Sequence, residues 1–539
     1  MNLSAPVLVV GAGPVGLTVA NLLAARGVQV ILVERNRTTS DEAKAISLDD
    51  ESLRTLQAAD LAERVLEIVV PGTGTRYYDR NGRPLFHARG PRPNRLGYPF
   101  KNQFAQPELE RLLLDALLER PEAQVRFSSE LVALRDTGSS VHAVVRTTGG
   151  DAEELVEARW VLGCDGGRST VRELLGIGMT GTSHHDVWLV ADTLHDTHDE
   201  RYGMHHGNPR RPMVIVPGRD GRCRYEFRLR LGEGEKGRPE FATIQKLLRP
   251  WRSLSPEQIE RSTNYTFNAV VAERWRDGRC FLLGDAAHMM PPFAGQGLNS
   301  GVRDAANLAW KVAQVWHGEA EERLLDTYQV ERFAHARAMV SFSERLGRVV
   351  MTVQPWRALL RDLVARSMLL TRRGRRYLEE MRFRPRAMHT EGFVLRSDHV
   401  LVGRLLPQPQ VLVPLSLRPQ LLDTVLGEGF ALLGVNVPDS AWNALDLGDR
   451  NVRLIDVVLD DRMPPSGTGR AAVADADGAL EESLGGARDC FVLVKPDRYI
   501  GAVVPAAQSP LLRELLDAHL GCPAPDAVTR VPRPDPATS

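Results

Sequence analysis

The stretch "VLVVGAGPVGLTVANLLAARG" (residues 7–27) decides the fold of this chain. A short apolar strand leads into Gly11, Gly13 and Gly16, and an apolar helix follows the last of these glycines. In such a turn Gly11 permits the tight bend, Gly13 lets the backbone approach a pyrophosphate, and Gly16 lets helix and strand pack closely. The pattern predicts an α/β fold that opens with a Rossmann-like, dinucleotide-binding unit.

An acidic residue ends the second predicted strand, "VQVILVER" (residues 28–35). This residue, Glu34, lies about 20 residues beyond the glycine turn, where a carboxylate accepts a hydrogen bond from a ribose hydroxyl. The alternative interpretation of the three glycines, taken alone, is a tight turn that binds no ligand. Strand, helix and acid together predict an adenine dinucleotide.

A second glycine-rich stretch, "GDAAHMMPPFAGQGLNSG" (residues 284–301), indicates which dinucleotide binds. A predicted strand delivers Asp285 to hydroxyls of a sugar or sugar alcohol, and Gly295 and Gly297 form a loop that leads into a helix at about Leu298. The free N–H groups of a helix start favour partial negative charge. A reduced isoalloxazine ring carries such charge and a nicotinamide ring does not, so FAD is the predicted cofactor.

Composition restricts the other functions that this chain could have. The 539 residues predict two or three domains, and 68 basic against 68 acidic residues give none of the basic excess of a nucleic-acid-binding protein. Five scattered cysteines without a C-x-x-C pair argue against a disulfide framework and against a metal site. They predict a cytoplasmic location. The uncharged run 6–25 contains glycines and prolines and is interpreted as strand and helix, not as a membrane anchor.

Changes in sequence character along the chain predict five segments. The middle of the chain replaces the βα rhythm by alternating strands, so a β-rich substrate domain is expected to interrupt the cofactor domain. The predicted boundaries are 1–177 (cofactor domain, first part), 178–275 (β-rich substrate domain), 276–395 (cofactor domain, second part, with long helices), 396–521 (C-terminal domain) and 522–539 (disordered tail).

Three motifs together resemble one enzyme family. They are G-x-G-x-x-G at residues 11–16, "DGGRSTVR" at residues 165–172, and the GDAAH-to-GQGLN stretch from Gly284. The chain resembles the class A flavoprotein aromatic monooxygenases, which share the para-hydroxybenzoate hydroxylase fold, and within them the 3-(3-hydroxyphenyl)propionate hydroxylases. The resemblance covers nearly the whole chain, and its C-terminal region resembles the thioredoxin-like domain of phenol-hydroxylase relatives.

The resemblance implies a role for individual residues of this sequence. Lys44 stands where the family usually has arginine, so it offers charge to a phosphate without a two-pronged contact, or is simply solvated. The backbone carbonyl of Pro292 is implied to face a substrate hydroxyl. The other implied FAD contacts are Glu34 at the ribose, Gln106 at the middle of FAD, Asp165 at FAD and the passing nicotinamide, Asp285 at the ribityl or pyrophosphate segment, and Gly297, Leu298 and Asn299 at the pyrimidine edge.

The resemblance also implies the reaction. NADH or NADPH would reduce FAD, O₂ would add to give a flavin hydroperoxide, and a phenolic ring would receive the oxygen atom. Arg211 and Tyr225 are the candidate substrate residues, because an arginine suits a substrate carboxylate. A solvated strand face is the other interpretation of the arginines at 222, 224 and 228.

Three questions remain open at the level of sequence. The substrate is a small hydroxyphenylpropionate-type phenol or, alternatively, a bulkier polyketide or antibiotic phenol. A third interpretation is an FAD-binding protein that hydroxylates nothing. The choice between NADH and NADPH and the oligomeric state, with a homodimer as the candidate, also stay open.

Overall fold

The computed structural model describes residues 5–41, 44–234, 237–414, 418–459 and 469–521. They form two compact units, of which the first comprises Met1–Ala306 and Phe333–Arg386 and the second Asn307–Arg332 and Ala387–Ser539. The segment 522–539, expected to be a disordered tail, lies outside the described residues. The boundaries of the five segments stay a prediction.

Nineteen strands are described in the first unit. They are β1 (Val7–Val10), β2 (Val30–Val33), β3 (Ser47–Asp49), β4 (Thr75–Tyr78), β5 (Pro84–Ala88), β6 (Lys101–Gln103), β7 (Ala123–Arg126), β8 (Ser129–Asp136), β9 (Val141–Thr147), β10 (Glu153–Ala158), β11 (Trp160–Gly163), β12 (Met179–Thr193), β13 (Gly203–His206), β14 (Met213–Pro217), β15 (Cys223–Arg228), β16 (Ile259–Ala272), β17 (Arg276–Asp277), β18 (Cys280–Leu282) and β19 (His288–Met289).

Ten helices begin or end in this unit. They are α1 (Pro14–Ala24), α2 (Asp50–Gln57), α3 (Ala62–Ile68), α4 (Gln106–Leu118), α5 (Thr170–Leu174), α6 (Phe241–Leu248), α7 (Gly297–Trp316), α8 (Thr327–Val350), α9 (Pro355–Leu369) and α10 (Arg372–Glu379). Within the described ranges no helix combines the length and the apolar character that crossing a bilayer requires.

A six-stranded sheet in the order β17-β18-β11-β1-β2-β7 carries the cofactor motifs. Strands β18, β11, β1, β2 and β7 run parallel, and every residue of β1 is buried. Parallel strands buried on both faces are typical of doubly wound α/β folds, in which ligands bind beyond the carboxyl ends of the strands. The α/β prediction is confirmed.

An eight-stranded sheet in the order β19-β16-β12-β15-β14-β13-β4-β5 forms the β-rich part. Its long strands β12 and β16 pair antiparallel along most of their length. Strands β4 and β5 join its far edge from residues 75–88, a contribution that the sequence analysis did not foresee. Strands β8, β9 and β10 form the expected antiparallel meander.

One interpretation of the arginines was wrong. Strand β15 lies between β12 and β14, and five of its six residues are buried, Arg224 among them. Its guanidinium donates to both carboxylate oxygens of Asp192, at 2.6 and 2.9 Å, which compensates the buried charge. Period-two alternation cannot distinguish a solvated arginine face from one paired inside a sheet.

The second unit holds a mixed seven-stranded sheet in the order β21-β20-β24-β23-β22-β25-β26. Its strands are β20 (Gln410–Leu412), β21 (Gln420–Leu421), β22 (Phe430–Val435), β23 (Val452–Val458), β24 (Ala471–Asp475), β25 (Cys490–Val494) and β26 (Ile500–Pro505). Its own helices are α11 (Leu422–Leu426), α12 (Asp439–Asn443), α13 (Ala479–Leu484) and α14 (Pro510–Leu520).

A charge cluster is buried in this second unit. The Glu331 carboxylate accepts hydrogen bonds from Lys311 Nζ at 2.7 Å, Lys495 Nζ at 3.0 Å and Asn307 Nδ2 at 2.6 Å. Burial alone would raise the pKa of Glu331, but the two ammonium groups hold it well below its usual value. Glu331, together with Asp497 at 4.0 Å from Lys495 Nζ, therefore compensates two buried lysines.

We expect Glu331→Gln to lower the free energy of unfolding of the second unit by about 3–5 kcal/mol, because it removes the carboxylate that accepts from both buried ammonium groups and leaves two lysines beside the single carboxylate of Asp497. Urea unfolding of the full chain, followed by circular dichroism, measures this loss. Asp446→Asn is the matched control, since it breaks an exposed pair with Arg513 and should change stability by less than about 1 kcal/mol. Equal losses in the two variants would contradict the assignment.

Candidate functional site

The carboxyl ends of the parallel strands open onto a cleft of about 280 Å³ in the first unit. The cleft brings together most of the residues that the sequence analysis selected for the cofactor. Those that line it are Gly11, Gly13, Glu34, Lys44, Gln106, Asp165, Asp285, Gly297 and Leu298. Gly16, Gly295 and Asn299 are not part of its lining.

The three glycines of the first turn have different reasons to be glycine. Gly11 has φ +103°, and a Cβ there would lie 2.7 Å from the Cys164 carbonyl oxygen. At Gly16 a Cβ would lie 1.9 Å from the Gly11 carbonyl oxygen. At Gly13 the backbone is ordinary, with φ −74°, and a Cβ would meet nothing within 4 Å. The fold requires Gly11 and Gly16, whereas at Gly13 only a ligand in the cleft would require glycine.

Glu34 stabilises the same turn from the end of β2. One of its carboxylate oxygens accepts from Ala12 N at 2.9 Å, and the other accepts from Asn36 N at 2.9 Å and Asn36 Nδ2 at 2.6 Å. A carboxylate has about four acceptor positions, so capacity for a ribose hydroxyl remains.

Asp285 is a carboxylate of the cleft that has no hydrogen-bond partner among the described residues. It follows β18 in a short 3₁₀ turn (Gly284–Ala286), its side chain is open to solvent in the cleft, and it makes no hydrogen bond with any residue that the structure describes. Desolvation by the surrounding walls raises its pKa, and the nearby His288 and Lys44 oppose that shift. Such a group is suited to accept hydrogen bonds from the hydroxyls of a ligand.

Asp165, by contrast, is engaged within the protein. One oxygen accepts from Ser169 Oγ at 2.5 Å and the other from Val171 N at 3.0 Å, so the side chain holds the start of α5. Burial raises its pKa, and these hydrogen bonds act in the opposite direction.

Gln106 is also engaged, because it fixes the wall of the cleft opposite the glycines. Its Oε1 accepts from Lys44 N at 3.1 Å and Ala45 N at 2.7 Å, and its Nε2 donates to Glu110 at 2.7 Å. Glu110 in turn accepts from Ser40 N at 3.0 Å and itself lines the cleft. The sequence analysis missed Glu110, although its position one helical turn after Gln106 could have indicated it.

The side chain of Asn299 stabilises the loop that leads to it. Asn299 is fully buried, donates to the carbonyls of Ser47 (3.1 Å) and Gly295 (2.7 Å), and accepts from Asp49 N (2.9 Å) and Ser52 Oγ (2.7 Å). Its side chain therefore supports the loop and leaves Gly297 and Leu298, the first residues of α7, in the cleft lining. N–H groups at a helix start have no partner within the helix.

Two buried ionic contacts support this loop further. Arg303 donates to Asp49, to Glu51 Oε2 at 2.5 Å and to Gln296 Oε1 at 3.1 Å. Asp304 accepts from His288 Nε2 at 2.7 Å, and both side chains are fully buried. The arginine contacts were missed because its acidic partners are some 250 residues away in the chain.

Pro292 lines neither this cleft nor a second cavity, although both of its sequence neighbours line the latter. It begins a 3₁₀ turn (Pro292–Ala294), and its carbonyl accepts from Gly295 N at 2.8 Å. Its neighbours Pro291 and Phe293 line a cavity of about 190 Å³, also within the first unit. This cavity was not predicted, since its walls come from strands and helices far apart in the sequence.

Aromatic rings form much of that second cavity. Trp188 and Phe267 each meet Phe293 with ring centroids 5.3 Å apart in edge-to-face geometry. The ionisable side chains in the lining are His184, Asp186, Arg228, Glu344, Arg348 and Arg357.

The two candidate substrate residues lie in neither the cleft nor the second cavity. Arg211 donates to Glu233, with Nη2 2.7 Å from Oε1, and to the Arg228 carbonyl at 3.1 Å. Tyr225 is fully buried and its hydroxyl donates to Asp196 at 2.9 Å. Both side chains are occupied by the protein itself, so their role at a substrate stays a prediction without support from the geometry.

Two groups of metal-ligand type occur among the described residues, Asp196–His198–Cys223 and Glu331–His389–Asp497. In each group a cation already neutralises the central carboxylate. Asp196 pairs with Arg252 at 2.7 Å, and Glu331 has its two lysines. The expectation of no metal site stays a prediction.

Comparison with known proteins identifies the family. The model of the FAD binding domain family matches residues 4–343, and the HcaD C-terminal domain matches residues 403–519. A 3-(3-hydroxy-phenyl)propionate/3-hydroxycinnamic acid hydroxylase of Mycolicibacterium gilvum is 38% identical over 530 residues, which cover 95% of this chain and 91% of the relative. The chain belongs to this family of FAD-binding hydroxylases.

Further relatives agree with the assignment. A hydroxylase of the same name from Escherichia coli is 35% identical, over 93% of this chain and 92% of the relative. Aklavinone-11 hydroxylase, solved with FAD and aklavinone, is 26% identical with a TM-score of 0.76 over 96% of this chain and all of the other. The flavin-dependent monooxygenase PieE, at 22% identity and a TM-score of 0.79 over 96% and 99% of the two chains, shows the same fold. The predictions of an FAD-dependent aromatic hydroxylase and of FAD as cofactor are confirmed.

The cleft of this FAD-binding hydroxylase fits that cofactor on its own geometry. The space above Gly13 is the cradle that a Cβ would fill, Asp285 is a carboxylate without a partner, and the start of α7 faces the cleft. The motif residues thus divide into those that build the walls and those left for the ligand.

This division predicts that Gly13→Ala keeps the fold and loses FAD. The added methyl group meets no protein atom but enters the cleft, so we expect the dissociation constant of FAD to rise at least tenfold, or about 1.4 kcal/mol. Quenching of flavin fluorescence on titration measures the constant, and the thermal midpoint reports the fold.

Two variants serve as controls for this experiment. Gly16→Ala should lower the thermal midpoint itself, whereas Gly150→Ala, in a remote turn with an ordinary contact 3.7 Å away, should change neither quantity. Unchanged FAD affinity in Gly13→Ala would show that the cofactor does not approach this turn.

Proposed function

We propose that this enzyme hydroxylates a phenol with a short carboxylate side chain, of the hydroxyphenylpropionate type, at the expense of NADH or NADPH and O₂. The observation that carries the proposal is the aromatic-walled second cavity beside Pro292. Its lining combines the rings of Trp188, Phe267 and Phe293 with several arginines, groups that suit an aromatic ring and a carboxylate. The relatives named for such substrates share more than a third of their residues with this chain over nearly its whole length.

The aromatic rings of the cavity would hold the substrate ring. Trp188, Phe267 and Phe293 offer edges and faces at the separations that aromatic pairs prefer. The Pro292 carbonyl keeps a second lone pair after accepting from Gly295, and the phenolic hydroxyl would donate to it.

The substrate carboxylate would meet Arg357. Of the arginines that line the cavity, Arg228 donates to Asp186 at 2.5 Å and Arg348 pairs with Glu344 at 3.3 Å. Arg357, near the start of α9, pairs with no carboxylate among the residues that the structure describes. It is the cation left for an anionic ligand.

FAD would be held by the cleft residues in a definite order. The backbone at Gly13 and the start of α1 would face the pyrophosphate, with Lys44 nearby. Glu34 would bind the ribose, and Asp285 would bind the ribityl hydroxyls. Gly297 and Leu298 would face the ring. When bound, FAD supplies the redox chemistry that joins one oxygen atom of O₂ to the phenol. Gln106, Asp165 and Asn299 would act through the backbone that they fix.

A cytoplasmic location suits the same proposal. The cysteines at 164, 223, 280 and 490 are free thiols, and burial raises the pKa of each. A homodimer is the proposed assembly.

The direct test is oxidation of NADH and NADPH by the purified holoenzyme in air, with and without 3-(3-hydroxyphenyl)propionate. We expect the phenol to stimulate oxidation and to be converted to a catechol in equal amount. Stimulation that yields only hydrogen peroxide would reject this substrate class. No oxidation with any phenol would reject the proposed function altogether.

Arg357→Gln tests the carboxylate contact. We expect KM for 3-(3-hydroxyphenyl)propionate to rise about fivefold, the upper range for an ion pair open to solvent, while KM for the uncharged 3-propylphenol stays unchanged. Arg345→Gln is the matched control, because Arg345 is an exposed arginine on α8 outside the cavity lining. An equal rise for both substrates would show a loss of packing instead of a lost charge contact.

A further inference from the structure

Helix α9 carries its large apolar side chains on the side that faces solvent. Its inward face buries Ala358, Asp362 and Ala365. Its outward face carries apolar side chains spaced three and four residues apart, which places them in one stripe along the helix. This α9 stripe consists of Trp356, Leu359, Leu360, Leu363, Val364 and, just after the helix, Leu370, which are between 38% and 86% exposed.

Polar contacts hold the inward face of α9 on the protein. Arg361 donates to the carbonyl oxygens of Gly207 at 3.0 Å and Val350 at 2.8 Å. Asp362 accepts from Arg80 N at 3.0 Å and from Arg361 at 2.7 Å. The α9 stripe takes no part in these contacts, so its side chains are available to a partner.

Helix α10 places a cluster of arginines beside the end of the stripe. These α10 arginines are Arg372, Arg373, Arg375 and Arg376, which are exposed and pair with no carboxylate among the residues that the structure describes. Arg372 follows Leu370 by two residues, so the Cα atom of the first arginine lies within about 8 Å of that of the last stripe residue. Exposed apolar side chains and unpaired cations therefore adjoin each other.

Acidic side chains are scarce along this surface. Between residues 353 and 378 the sequence contains seven arginines and one acid, Asp362, which is buried. Glu379, the last residue of α10, is half-buried, and Glu380 pairs with Arg382 at 2.7 Å. The two helices therefore present a net positive charge to solvent.

We propose that the α9 stripe and the α10 arginines bind the surface of an anionic phospholipid membrane. A helix that lies in a membrane surface inserts an apolar face between the lipids, while neighbouring cations meet the anionic headgroups. The leucines of the stripe supply the apolar face, and Trp356 adds a side chain of the type that is enriched at membrane interfaces. The docking is independent of the substrate and of the proposed function.

Other occupants satisfy only part of this surface. An acidic protein or a nucleic acid would account for the arginines but would leave the stripe exposed to water. A second copy of the chain would account for the stripe but would bring a second set of unpaired arginines. An anionic lipid surface satisfies both parts, because its headgroups are negative and its interior is apolar.

Sedimentation of the FAD-loaded full chain with phospholipid vesicles tests the proposal. We expect the protein to pellet with vesicles that contain phosphatidylglycerol, and to bind at least tenfold more weakly to vesicles of phosphatidylcholine alone, because the latter do not attract the arginines. Roughly 1 M NaCl, which shortens the screening length to about 3 Å, should weaken binding to the anionic vesicles by a similar factor.

Two substitutions test the two parts of the surface separately. Arg376→Gln should weaken binding to the anionic vesicles about fivefold, the contribution of one arginine near such a surface. Leu363→Ser, near the middle of the stripe, should weaken it about tenfold, because a leucine side chain is lost from the apolar contact.

Arg135→Gln and Leu155→Ser are the matched controls. Arg135 is exposed on β8, and Leu155 is 60% exposed on β10, close to the 56% of Leu363. Neither residue belongs to α9 or α10, so both variants should bind the anionic vesicles as the wild type does. Circular dichroism and flavin absorbance verify that each variant is folded and holds FAD.

Three outcomes would overturn the proposal. The first is a wild type that stays in the supernatant with both kinds of vesicle, or that binds both equally. The second is binding that Arg376→Gln weakens and Leu363→Ser leaves unchanged, which would assign the arginines to a polyanion. The third is self-association without vesicle binding, abolished by Leu363→Ser, which would assign the stripe to a second copy.

Discussion

The contact between helix α1 and strand β1 exists only because Gly16 has no side chain, since a Cβ there would lie 1.9 Å from the Gly11 carbonyl oxygen. That contact fixes where α1 begins relative to the edge of the parallel sheet. The strands on either side of β1, β11 and β2, end at the same edge, so they deliver Asp165 and Glu34 beside the start of the helix. The cleft is a consequence of this packing.

Within the cleft, hydrogen bonding separates structural residues from those available to a ligand. Backbone groups of the cleft wall form hydrogen bonds with the side chains of Gln106, Asp165 and Asn299. The carboxylate of Asp285, by contrast, has no partner among the described residues. Because the carboxylate of Asp285 is open to the cleft and accepts no hydrogen bond from a described residue, its acceptor positions are available to a ligand. Family motifs therefore contain residues that build the site and residues that are free to contact a ligand. The residue type alone does not distinguish the two.

The family resemblance selected Gln106, Asp165 and Asn299, and it implied direct contacts to FAD for them. Local pattern was enough to predict the parallel sheet and the glycine turn, because strand, turn and helix are consecutive in the chain. It failed where the structure joins distant segments. Strands β4 and β5 enter the large sheet from residues 75–88, Arg303 finds its acids on α2 and β3, and the second cavity gathers strands and helices separated by over 150 residues. Arg224 shows the same limit, since its bidentate partner Asp192 lies 32 positions away in the chain.

Gly13 differs from its two neighbours in the motif in one respect that reaches beyond this chain. The packing of the protein gives no reason for glycine at this position. A single added methyl group there would weaken cofactor binding and leave the fold unchanged. A descendant with alanine there would inherit a stable fold, an aromatic cavity and an empty nucleotide cleft. By this short route a family of oxygen-consuming catalysts can give rise to proteins that bind phenols without changing them.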